Sequence, residues 1–201
     1  NNNTEKNSNC AALYILTGSS AMLDDVTLNG YYGVYANGTL HIKNAEINAV
    51  DCGIAANNDA QVTLGVQNGE SNVVVTASAG NCISTQAAAG ATGMNVTVYN
   101  GSFTSSGTPW TMCPIYWASH GTLNVYGGTF KNTTSGTGAA ALLQKNGTVK
   151  VFGGTFEAKD GIKLVAQSDS TEIVTAIQGG AFTGTRSGIY IDASSSAYMG
   201  Q

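Results

Sequence analysis

The chain has 201 residues and a net charge of −4, from 8 Lys plus Arg against 12 Asp plus Glu. With a single arginine and no basic cluster, it lacks the electrostatic footprint of a nucleic-acid binder or of a protein drawn to anionic lipid. Twenty-six glycines, two prolines and 42% hydrophobic residues at strand spacing describe a turn-rich all-β chain and argue against disorder. No apolar run approaches the length of a membrane span, and no basic-then-apolar signal opens the chain.

Residues 1–9, NNNTEKNSN, read as a flexible lead-in, and residues 10–201 as one domain, expected to be a fragment of a longer protein. From Cys10 onward the chain repeats itself. Short apolar strands begin at CAALYIL (10), YGVYAN (32), CGIAAN (52), CISTQA (82), CPIYWA (113), AAALLQ (139), GIKLVA (161) and SGIYID (187). Each leads through a turn to a second strand anchored on Leu23, Ile42, Leu64, Val98, Val125, Val151 or Ile177, spaced 19, 22, 34, 27, 26 and 26 residues apart. A Gly or Asn-Gly turn then gives a third strand whose apolar residue lies five positions on. The pairs include Leu23/Leu28, Ile42/Ile47, Val98/Phe103, Val125/Phe130, Val151/Phe156 and Ile177/Phe182. The clearest copies are GTLNVYGGTFK (121–131) and GTVKVFGGTFE (147–157).

A fixed period in the twenties, built from strands and turns, predicts a solenoid. The expected fold is an all-β, right-handed parallel β-helix of about eight coils, with three short strands per coil. One coil cannot bury its own inward residues, so like positions must stack. The predicted inward columns are Val34/Ile54/Ile115/Ile162/Ile189 and Phe103/Phe130/Phe156/Phe182. Residues 64–80, LGVQNGESNVVVTASAG, break the period with an extra polar loop, and loops of this kind often carry function.

The four cysteines, Cys10, Cys52, Cys82 and Cys113, fall at nearly the same place in their coils. Stacked positions lie ~4.8 Å apart, so Cys52–Cys82 or Cys82–Cys113 disulfides are within reach. A stack of reduced, buried thiols is the favoured alternative. Their spacings exclude a zinc motif. Six N-x-S/T sequons, at Asn2, Asn37, Asn95, Asn100, Asn132 and Asn146, read as turn chemistry, with Asn-Gly pairs suited to positive φ.

The GTLNVYGGTF and GTVKVFGGTF repeats, with G-I/V-Y strands between them, resemble the right-handed parallel β-helix repeats of large surface proteins of Gram-positive gut bacteria. The likeness spans about residues 10–192 and implies an extracellular, surface-attached adhesin. The same architecture hosts lyases and hydrolases, so catalytic constellations need testing. Ser119-His120-Gly121 resembles an element of the polygalacturonases, whose inverting chemistry requires two carboxyl groups astride the bond. Asp24-Asp25 lies some four coils away, ~20 Å along the axis at the coil spacing, and His41-Ile42-Lys43 precedes the histidine where the family's R-I-K follows it. The match is read as accidental. The acids Asp51, Asp59, Glu70, Glu157, Asp160, Asp169, Glu172 and Asp192 are scattered, which leaves no predicted metal site and no cofactor. Arg186 has Asp160 and Asp192 as its nearest partners.

Aromatic residues are the remaining signal. Alternation turns Tyr99, Tyr126 and Phe152 outward in one column, where mutual packing is the favoured role. Residues 108–120, TPWTMCPIYWASH, bring together Trp110, Tyr116, Trp117 and His120. Burying both tryptophans in a slim coil would overpack it, so they are expected outside, where aromatics make good sugar and protein contacts. The predicted ligand-binding face is Trp110, Tyr116 and Trp117, with His120, extended by Tyr126. The fallback is the loop at 67–72. The expectation is a non-enzymatic adhesin that binds a glycan or a host or bacterial surface protein, with no nucleic-acid or membrane contact. The alternatives are a β-helix polysaccharide lyase or hydrolase, and a structural stalk.

Overall fold

The computed structural model describes residues 10–86, 92–107, 112–134, 139–165, 173–192 and 198–199. Within them the architecture is all-β, without helix, and its strands pair in parallel. That is consistent with a solenoid. The second strands of successive repeats form one eight-stranded sheet. It runs from Ser20–Leu23 through Thr39–Ile42, Gln61–Leu64, Asn95–Val98, Thr122–Val125, Gly147–Val151 and Ile173–Ile177 to Tyr198–Met199. An eleven-stranded sheet holds the first and third strands.

The third strand is not always separate from the first strand of the next repeat. Val26–Ala36, Asn44–Asn57, Thr155–Leu164 and Ala181–Ile191 each run through the corner between them. A register shift at Gly30/Tyr32 and another at Ala158/Asp160 are enough to turn it. A bulge bends a strand without ending it, so the expected three short strands merge here into two longer runs.

Period-two alternation sets the core. The predicted first-strand column is continuous and buried from Val34 to Ile162, with Ile83 and Leu142 filling the places between Ile54, Ile115 and Ile162, whereas Ile189, in register with Ile162, is 38% exposed. The second-strand anchors align as Leu23–Ile42–Leu64–Val98–Val125–Val151–Ile177. Phe103, Phe130, Phe156 and Phe182 stack with ring centroids 4.9, 4.8 and 5.1 Å apart. The glycine turn before them repeats too. Gly101, Gly128, Gly154 and Gly180 have φ of 134°, 107°, 106° and 112°, a conformation open to glycine and costly for other residues. Of the expected Asn-Gly turns, Gly101 and Gly147 carry the positive φ, whereas Gly38 serves by close approach to the Ser19 and Leu16 carbonyls.

Residues 64–80 contain less irregularity than their composition suggests. Val73 and Val75 sit in register with Ala45 and Ile47, and Val75 pairs onward with Phe103. VVVT is therefore an ordinary third strand, and the extra residues are confined to the 65–71 turn.

All four cysteines are buried and none is in a disulfide. Asn81, not Cys82, pairs with Cys52. The one-residue offset turns Cys82 to the core face, while Cys113 packs with Ala140 and Leu143. Neither of the disulfides considered within reach forms, in line with the favoured reading of reduced, buried thiols. At a corner, fully buried Asp160 accepts Arg186 Nε–H at 2.8 Å and a second bond from Nη2, and the guanidinium lies 4.0 Å from the Tyr190 ring centroid. Two parallel bonds to one carboxylate compensate its burial.

Candidate functional site

Alternation on the strand Ile115–Trp117 decides the fate of the predicted aromatic face. Ile115 points in, Tyr116 out and Trp117 in again. Trp117 is fully buried within the main apolar core, which corrects its assignment to an exposed ligand-binding face. The overpacking argument fails because the neighbouring positions are small. Ala36 aligns with Ala56 and Ala56 with Thr85, and the register at Ile83 and Ser84 brings Thr85 to Trp117. The indole occupies the volume those side chains leave.

Tyr116 is outward and partly buried, packed beside Cys113, Ala140, Leu143 and Val165, with Lys145 Nζ 6.0 Å from its ring centroid. His120 sits in the turn before Thr122–Val125, its Nε2 3.3 Å from Asn146 Nδ2. Tyr126 is 44% exposed and lies on another face of the repeat. Trp110 lies outside the described residues. The described members of the predicted cluster, Tyr116, Trp117, His120 and Tyr126, thus do not form one surface.

What the structure brings together is Tyr126 and the 65–71 loop. Tyr99, Tyr126 and Phe152 each follow the last inward residue of a second strand. Their amides donate to Leu64, Val98 and Val125 carbonyls at 2.8 Å, which places them one above another. Ring centroids are 5.2 Å apart for Tyr99–Tyr126 and 4.7 Å for Tyr126–Phe152, with interplanar angles of 23° and 9°. The faces are used up against one another, as the packing interpretation expects. The outer rims remain, and they form one wall of a groove of about 670 Å³.

The other wall is residues 66–70. Gly65, at φ 77°, starts the loop, donating to the Ile42 carbonyl at 2.8 Å, and a Cβ there would overlap the Asn100 side chain. Ser71 Oγ–H donates to Asn100 Oδ1, and the Asn72 amide to Asn44 Oδ1 at 2.8 Å. Both ends of the loop are therefore tied to neighbouring repeats, while Gln67, Asn68, Gly69 and Glu70 are exposed. Glu70 is the one charged side chain on the groove wall.

The constellations weighed for catalysis are dispersed. Asp24 accepts from Asn44 Nδ2 at 2.6 Å and pairs with Lys43 at 3.3 Å, and these bonds hold its carboxyl below the usual range. Among the described residues no three His, Cys, Asp or Glu side chains gather as a metal site would require. The groove was half visible in sequence, as an irregular loop and as an outward aromatic column. Their adjacency was not, because it depends on the loop bending over the next repeats. No protein-family profile matches the chain, and neither a curated protein nor a solved structure does.

Proposed function

We propose that the chain is a right-handed parallel β-helix of about eight coils, part of an extracellular bacterial surface adhesin. It acts as a binding module without catalysis, and its ligand lies in the groove between the 65–71 loop and the Tyr99–Tyr126–Phe152 ladder. The observation that carries this reading is the groove itself, a concave and mixed surface of about 670 Å³ where a loop bends over the outward aromatic ladder. Glu70, the one charged side chain among the described wall residues, is exposed and keeps its water, so the groove needs no ionic partner, and its polar and aromatic walls suit a hydroxyl-rich ligand such as a glycan strand. Rungs 4.7 and 5.2 Å apart let successive sugars of an extended chain meet successive rims. A host or bacterial surface protein is the competing ligand class.

The test is an array of glycans and surface proteins probed with the chain, followed by calorimetry on the strongest hit. Tyr126→Ala is expected to weaken binding by about tenfold or more, as loss of a central aromatic contact does. Unchanged affinity for both Tyr126→Ala and a variant with residues 67–70 shortened would remove the groove from consideration. Release of reducing ends or unsaturated products from pectin-like polymers, abolished by His120→Ala with the fold intact, would restore the enzyme alternative.

A further inference from the structure

A second cavity shares no wall residue with the groove. It measures about 240 Å³ and is bounded by Tyr32, Asp51, Ser84, Met112 and Tyr116, with Cys52 in its floor. At ~30 Å³ per water molecule it holds one small group, not a polymer. The floor is built by the first strands. Cys52, Ala55 and Ser84 are 4%, 2% and 6% exposed, and Ala55 pairs directly with Ser84 across the sheet. Tyr32 stands beside Cys52 in the same register, and Tyr116 beside Ser84. Two aromatic side chains and a thioether therefore line a small, buried floor, with one carboxylate among them.

From this constellation we infer that the cavity binds a primary ammonium group, carried by an amino sugar or by a lysine-type side chain. Among the described residues, Asp51 is the one wall residue charged at neutral pH, and no Lys or Arg lines the cavity. Any occupant must strip water from that carboxylate, which is costly unless the occupant brings an opposite charge. Its field is felt inside: after burial, the Asp51 charge is the next cause holding the Tyr32 hydroxyl above its ordinary range. An anion is repelled, and a neutral ligand leaves the carboxylate covered with no opposite charge, holding only the hydrogen bond that the Tyr32 hydroxyl donates to it. The aromatic walls supply the rest, since tyrosine faces attract ammonium groups. Tyr116 already has one such neighbour, Lys145 Nζ at 6.0 Å from its centroid.

Calorimetric titration of the folded chain with glucosamine, N-acetylglucosamine and Nα-acetyl-lysinamide tests this. The ammonium-bearing probes are expected to bind, and N-acetylglucosamine, which lacks the charge, about tenfold more weakly or not at all. Asp51→Asn, matched in shape, should cost the ammonium probes about tenfold, and Tyr116→Leu should weaken them as well. Tyr126→Ala, in the groove, should leave them unchanged. Preference for glucosamine identifies a sugar carrier and preference for the lysinamide a protein one, and either supports the assignment. Equal binding of glucosamine and N-acetylglucosamine would overturn it. So would parental affinity in an Asp51→Asn variant with an unchanged melting temperature, or no binding of either ammonium probe.

Discussion

Trp117 shows how one residue's role depends on its neighbours. Its strand pairs Trp117 with Gln144 on one side, while Thr85 and the alanines beyond provide room on the other. The indole Nε1 is buried without a hydrogen-bond partner, a cost that a binding residue in solvent would not carry. Trp117→Ala should therefore destabilise the fold by ~3–5 kcal/mol, as large core truncations do. Trp117→Phe should be milder, because the unpaired N–H leaves with the lost volume. Urea denaturation measures both, and a loss under ~1 kcal/mol for the alanine variant would place the indole outside the core. Gln144, next along the column, is the opposite case. It is buried but satisfied, donating to Gly147 and Val174 carbonyls at 2.8 and 3.1 Å and accepting from Thr175 Oγ1 at 2.6 Å.

The third-strand phenylalanines are a unit at the scale of the element. Phe130 is sandwiched between Phe103 and Phe156, and all three are fully buried, whereas Phe182 is only partly so. Offset from these, the outer ladder of Tyr99, Tyr126 and Phe152 uses the same repeat and the same spacing on the solvent side. Phe130→Ala removes a ring with two stacking neighbours and should cost ~3–5 kcal/mol. Phe182→Ala should cost clearly less, because its ring surrenders less buried area. Thermal or chemical melts of the two variants compare them directly. Equal losses would show that the ladder does not act through its stacked neighbours.

Across the whole molecule, the thiols report on burial in several repeats at once. Burial pushes Cys113 from its ordinary 9.0 up to about 12, and burial raises Cys52 and Cys82 as well, with the Asp51 charge adding to it at Cys52. A folded-state value above the unfolded one means that the native state favours the protonated thiol. That stability is fully present below about 9 and is lost as pH rises from there toward about 12. Tyr32, raised mainly by burial, adds a contribution of the same sign at still higher pH. The melting temperature should fall across that alkaline range, less steeply when Cys52, Cys82 and Cys113 are replaced together by alanine. Native thiols should also resist iodoacetamide near neutral pH, since the thiolate is the reactive form. Labelling as fast as in the unfolded chain would contradict the burial of these repeats.

Strand period, turn glycines and the five-residue step between Val125 and Phe130 were all readable from the chain, because each is a local rule repeated at fixed spacing. From these the parallel pairing and the inward columns followed, as the register of Val98, Val125 and Val151 confirms. Only the tertiary structure decided what fills the space around a side chain. Trp117 is inside because Ala36, Ala56 and Thr85, from three other repeats, are small, and Cys82 faces away from Cys52 because the register slips by one residue. The groove is of the same kind. The 65–71 loop and the Tyr126 ring lie more than fifty residues apart in sequence, and they meet because parallel stacking carries the loop's neighbour Tyr99 directly beneath Tyr126. A periodic sequence encodes which positions stack, but the contacts between unlike parts of different repeats arise only once the stack is formed.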